Sequence, residues 1–237
     1  MKLFDGITYN IRGFWLGVKT PKLMMLGLIR LAAVVIITII FASLTLIYHQ
    51  EILNLIWTRP ESRWLLWLWY LLSWVISLFL VVLSSVFSYL ISQILFCVII
   101  MDTMSQITER LASGQEKEPQ KMPFLRRFFY LVKQEIPRTI VPVLLSLLIM
   151  LLGWLTPLGH LLTILSSLIA VIFLAWDNTD LVPARRLYPF KTRFKFFYKN
   201  LPFHLGFGLL FLIPIASLFF LSFSPVGATL YYIKEHG

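Results

Sequence analysis

Between Trp64 and Met101 the chain runs 38 residues without a formal charge, a glycine or a proline. Hydrocarbon offers no water to bond backbone N–H and C=O groups, so a run of this kind crosses a bilayer as a helix. About 20 apolar residues suffice for a crossing. At roughly 1.5 Å per residue this run reaches about 57 Å. It is too long for one simple crossing, and nothing in it would break it into two, so its placement decides the topology. Composition agrees: 59% of residues are apolar and 14% charged, against about 25% charged in soluble domains.

The N-terminal segment is not expected to be a cleavable signal. Lys2 to Arg30 is charged and amphipathic throughout, and no small-residue cleavage site follows a short apolar core. The single cysteine, Cys97, excludes an internal disulfide and a cysteine-based metal site. Its apolar surroundings suit a buried thiol. The net charge of +10 is placed in the segments beside the apolar runs. That favours anionic headgroups over nucleic acid as the partner.

Four runs carry no formal charge: Leu31–Gln50, Trp64–Met101, Thr139–Trp176 and Asn200–Ile233, of 20, 38, 38 and 34 residues. Lysines and arginines number five in 1–30, two in 51–63, seven in 102–138, six in 177–199 and one after 233. The positive-inside rule puts 1–30, 102–138 and 177–199 in the cytoplasm, with both termini, and 51–63 outside. Residues 22–50 then form the first crossing and 64–112 a long second one, its Trp64, Trp67, Trp69, Tyr70 and Trp74 at the outer interface. The runs within 139–176 and 200–233 begin and end on the cytoplasmic side, so each is expected to be a hairpin. In the first, Gly153-Trp154-Leu155-Thr156-Pro157-Leu158-Gly159 is the turn. Its arms, roughly 21 and 26 Å long, suggest a hairpin that dips in and returns. The second breaks at Pro214, at Ser222-Phe223-Ser224-Pro225, or at both. Three amphipathic stretches, 1–19, 121–138 and 187–199, are expected to lie at the interface. Ser113 to Pro119 reads as a solvated loop. The expected fold is an all-α membrane domain with two long crossings, two half-penetrating hairpins and interfacial helices.

The order of landmarks resembles the CysZ-type sulfate permease family, related to the etoposide-induced membrane proteins. Gly6 and Gly13 in an amphipathic helix precede Thr20-Pro21 at the head of an apolar one. Asp102-Thr103-Met104, Glu109-Arg110-Leu111, Lys133-Gln134-Glu135, Pro157-Leu158-Gly159, Asp180 and Pro183 follow in order. Phe207-Gly208, Pro214 and Pro225-Val226-Gly227-Ala228-Thr229 close the series. The resemblance implies an oligomeric protein of the bacterial inner membrane that takes sulfate into the cytoplasm for cysteine biosynthesis. It also marks two departures. The family's adjacent arginines in the sulfate-contacting segment are here Met24 and Met25, leaving Lys22 as the local cation. Val98-Ile99-Ile100 stands where the family has a proline.

Oxyanions bind at helix N-termini, where free N–H groups converge. Thr20-Pro21-Lys22 is such an end: Thr20 suits the N-cap, Pro21 the first helical position, and Lys22 adds a cation. An intramembrane arginine is a functional candidate by default, which adds Arg30; it could also simply reach the headgroups. Arg138, three residues after Glu135, reads as a structural pair. The hairpin tips offer Thr156 and Gly159 in one, and Ser224, Gly227 and Thr229 in the other, with Ser222 beside them. Such residues line a pore or let helices pack closely. Ser73, Ser77, Ser84 and Ser88 share one face of the long helix. No carboxylate falls inside the four runs, which favours a passive conduit over a proton symporter.

No cofactor or metal site is expected. His49, His160 and His204 have no ligand-like spacing. Asp177-Asn178-Thr179-Asp180 resembles half of the Asp-rich signature of membrane prenyltransferases, a remote enzymatic alternative. A non-transporting scaffold subunit is the nearer one. The main expectation is a non-enzymatic oxyanion permease.

Overall fold

A computed structural model describes residues 2–56, 60–94, 98–114, 123–213 and 215–236. Every regular element among them is helical. Five helices are long and apolar enough to cross a bilayer, and the protein is an all-α membrane protein. The proposed loop at 115–119, Cys97 and Pro214 lie outside the described residues.

The chain divides into two compact units, Met1–Leu31 with Ile94–Gly237, and Ala32–Gln93. Helix α2 (Pro21–Ile47) belongs to the first at its start and to the second beyond Leu31. The second unit continues with α3 (His49–Ile56) and α4 (Arg63–Ser92). Its surface is inverted relative to a soluble domain. Ile36, Ile39, Leu46, Trp67, Trp74 and Leu78 are exposed, and Trp64 is 92% exposed. Contiguous apolar surface on this scale requires lipid or protein against it. The serine face of α4 points inward at Ser84, Ser88 and Ser92. Within the unit, Ser77 Oγ and His49 Nε2 are hydrogen bonded.

The first unit holds α1 (Lys2–Lys19), α5 (Val98–Ser113), α6 (Phe124–Leu155), α7 (Gly159–Thr179), α8 (Leu181–Arg185), α9 (Phe190–Lys199), α10 (Leu201–Leu209) and α11 (Ala216–His236). Helix α1 packs on α10 and α11. The face it buries is Gly6, Asn10, Gly13 and Gly17, while Phe4, Ile11 and Trp15 of its apolar stripe are exposed. The packing is backbone on backbone: a Cβ on Gly6 would strike Phe203 and Phe207, and one on Gly13 would strike Gly227. Small residues let helices approach this closely. Asn10 Nδ2 adds a hydrogen bond to the Phe207 carbonyl at 2.7 Å. Behind this contact, Phe203 stacks on Tyr231 with ring centroids 3.5 Å apart, among Ala175, Phe207 and Ala228.

Two features differ from the sequence expectation. The 121–138 stretch, from Phe124 onward, and the first arm of the 139–176 hairpin are one helix. The 32 residues of α6 extend about 48 Å and pair with α7. Arg138 does not end this helix because its charge is neutralised inside the protein. In the last run α10 gives way to a 3₁₀ segment (Leu210–Leu212), and Ile215, just before α11, has φ 65°. Pro225 lies inside α11 instead, so Ser224, Gly227 and Thr229 are interior helical residues and not a hairpin tip.

Candidate functional site

Thr20 marks the corner between α1 and α2. Its N–H donates to the Leu16 carbonyl at 3.1 Å, and its carbonyl accepts from the Met24 N–H at 2.9 Å. Leu23 is fully buried in a cluster with Met104, Phe223 and Val226. The next turns of α2 are thereby fixed, with Lys22, Met24 and Met25 facing out.

Arg30, two turns further along α2, is 2% exposed. Its Nη1 donates to the Leu221 carbonyl at 2.7 Å. A helical carbonyl is ordinarily taken by the N–H four residues on. Here that residue is Pro225, which has none. Arg30 and Ser224 Oγ, which donates at 2.6 Å, together replace the missing donor and keep α11 continuous across its proline. The same single hydroxyl proton has a second acceptor within reach, Asn178 Oδ1 on α7, also at 2.6 Å. Arg30 and Ser224 therefore meet at one point, where α2, α7 and α11 converge.

Beside this point lies a buried ion-pair cluster. Arg138 is paired with Glu135, with Asp177 Oδ1 at 3.0 Å and with Asp180 Oδ2 at 2.9 Å. Arg193 Nη1 reaches the same Asp180 oxygen at 2.6 Å and its Nη2 reaches Gln134. Burial pushes the Asp180 carboxyl up from its ordinary range, while Arg138 and Arg193 pull it down. Asp177 also feels the charge of Arg30. A second cluster ties α5 to the α8 region. Arg185 holds Asp102 Oδ1 at 3.1 Å, Ser105 Oγ at 3.2 Å and Glu109, and Arg186 shares Glu109. Thr229 Oγ1 joins it through Ser105 at 2.9 Å.

A third polar chain runs below α10. The Asn200 carbonyl can only accept, so His204 Nδ1, 2.7 Å away, carries the proton. His204 Nε2 then accepts from Thr179 Oγ1 at 2.8 Å. Lys2 Nζ and Tyr231 Oη both donate to Asn200 Oδ1, at 2.9 and 3.1 Å. The first hairpin's tip is apolar and outward: Leu155 is 81% exposed, and Leu158 and Leu161 are exposed too. Thr156 there bonds its own helix, to Leu152 O at 2.9 Å. Gly159 sits where a side chain would strike the Gly153 carbonyl. The sequence candidates thus fall in three places: Thr20 and Lys22 at the corner, Arg30, Ser224, Gly227 and Thr229 in the interior, and Thr156 and Gly159 at the tip.

The model of the family described as "Sulfate transporter CysZ/Etoposide-induced protein 2.4" matches residues 9–222. The chain belongs to this family. No individual curated protein matches it. In this CysZ/etoposide-induced chain, landmarks scattered along the sequence converge: Asp102 and Glu109 meet Arg185, and Glu135 meets Asp180 through Arg138. Sequence reading missed Arg185 and Arg193. Arg193 sits in a stretch where Phe190, Phe194 and Phe197 alternate with basic residues, which reads as an interfacial anchor. In the structure those aromatics pack on Trp176, the neighbour of Asp177, a contact that no spacing in the sequence signals. Among the described residues no His, Cys, Asp or Glu group is arranged to hold a metal. Asp177 and Asp180 both face Arg138.

Proposed function

We propose that the protein carries sulfate or a similar oxyanion across the bacterial inner membrane into the cytoplasm, as a homo-oligomer, supplying cysteine biosynthesis. Membership of the sulfate-transporter family supports a transporter of this kind. The observation that carries the reading is the charged interior of the first unit. Arg30, Glu109, Glu135, Arg138, Asp177, Asp180, Arg185 and Arg193 are all buried in a protein whose outer faces are apolar. Ionisable groups inside a membrane protein mark substrate pathways. Fixed guanidiniums let an anion shed water, while paired carboxylates keep it from being trapped.

In this reading the corner of Thr20 and Lys22 admits the anion on the cytoplasmic side of the path. Ser224, Gly227 and Thr229 lie along its interior, and Thr156 and Gly159 at the hairpin tip. The two hairpins dip into the bilayer from the cytoplasmic side, where the basic segments 102–138 and 177–199 remain. No prosthetic group takes part, and no bond is made or broken in the substrate.

Purified protein in liposomes tests this. Radiolabelled sulfate entering faster than into empty vesicles is the expected result, with sulfite, phosphate and molybdate compared as competitors. Folded protein giving no flux of any of the four overturns it and favours the scaffold reading. Met24 and Met25, exposed where the family has arginines, speak for that alternative.

A further inference from the structure

Among the described residues the Arg30 guanidinium bonds through one of its three nitrogens. Nη1 donates to the Leu221 carbonyl. Nη2, which is buried, and Nε donate to no described residue. A buried guanidinium with unmet donors is costly, because those N–H groups have given up water for nothing. Salt-bridged arginines in the same unit, such as Arg138 and Arg185, are instead surrounded by carboxylates. Nor is Arg30 loose. Pro225 removes the N–H that would occupy the Leu221 carbonyl, and this freed acceptor fixes Nη1. The edge left over, Nε with Nη2, is the fork that grips two oxygens of one carboxylate, sulfate or phosphate.

We propose that Arg30 is the interior oxyanion-binding group of this chain, presented through its Nε–Nη2 edge and held by the carbonyl that Pro225 frees. The proposal rests on the transport reading above. It names the substrate class as a small inorganic oxyanion with two adjacent unprotonated oxygens, and it makes up for Met24 and Met25.

The test compares wild type with Arg30→Met, Arg30→Lys and Pro225→Ala in sulfate influx, with thermal melting of each protein in maltoside. Arg30→Met is expected to cut influx at least about ten-fold without lowering the melting temperature, because a buried charge with unmet donors is removed and the Leu221 carbonyl keeps Ser224. Arg30→Lys keeps the charge without the fork and should fall between. Pro225→Ala returns an N–H to Leu221 and competes with Arg30, so the half-saturating sulfate concentration should rise. Influx through Arg30→Met equal to wild type overturns the proposal and leaves the transport reading standing. Influx lost only together with melting temperature, in both Arg30 variants, overturns it in favour of a structural arginine. If wild type shows no influx, the transport reading falls, and sulfate titration calorimetry in maltoside decides the site. Binding abolished by Arg30→Met supports it; no wild-type binding, or binding by both, overturns it. Adding phospholipid to the same titration distinguishes a headgroup phosphate, which would compete.

Discussion

Arg138 and Arg30 are both buried, yet they should answer substitution oppositely. Arg138 touches three carboxylates on two sides of a helix hairpin. Removing it leaves those charges facing one another in a low dielectric, and breaking such a buried pair costs about 3–5 kcal/mol. Arg138→Met should therefore destabilise the folded protein by that order, read as a fall in melting temperature and loss of the monodisperse species in detergent. Arg185 has the same character, since Asp102 and Glu109 both depend on it. The sequence shows only part of this. Glu135 and Arg138 stand one helical turn apart, so their pairing is local. Asp180 lies 42 residues beyond Arg138 and Glu109 lies 76 residues before Arg185, and no spacing rule connects residues so far apart. Arg30 was visible as a charge beside an apolar run, but the vacancy that holds it depends on a proline nearly two hundred residues later.

At the scale of elements, the periodicity of α1 reads one face and not the other. Its apolar stripe is exposed, as an interfacial helix requires. The glycine face, which periodicity does not mark, turns inward against α10 and α11. Gly13→Leu must push α1 away from the Gly227 backbone. Overpacking of this sort costs about 1–3 kcal/mol or more. The variant is expected to expose α1 to limited proteolysis while α6 and α7 stay protected; an unchanged cleavage pattern would contradict the backbone contact. The turn before α11 offers the converse case. Ile215 has φ 65°, a left-handed conformation that costs a residue with a side chain roughly 1–2 kcal/mol, and its side chain is 77% exposed, so it packs little in return. Ile215→Gly should raise stability by about 1 kcal/mol, measurable as a higher melting temperature. Sequence reading leaves the break at Pro214, at Ser222 to Pro225, or at both. Only partners for the Leu221 carbonyl distinguish a proline that ends a helix from one that a helix absorbs, and the distant one of the two, Arg30, is on α2.

The membrane class followed from hydropathy alone, because a long uncharged run has no alternative home. How deep the α6–α7 hairpin reaches is a matter of length measured from its charges. Arg138 precedes Leu155 by 17 residues and Asp177 follows Gly159 by 18. Both arms therefore rise about 26 Å from the ion-pair cluster to the tip, slightly less than the roughly 30 Å of hydrocarbon. The tip presents Leu155, Leu158 and Leu161 outward, side chains suited to lipid and not to water. Under the proposed orientation, with the basic segments at its feet on the cytoplasmic side, the hairpin should end just inside the far interface. Single cysteines introduced at Thr156 and Ser113 in a Cys97→Ala background test this with a membrane-impermeant maleimide. Ser113→Cys is expected to react only when the cytoplasmic face is opened, and Thr156→Cys to remain unreactive from both sides. Rapid labelling of Thr156→Cys from outside intact cells would make the hairpin a full crossing.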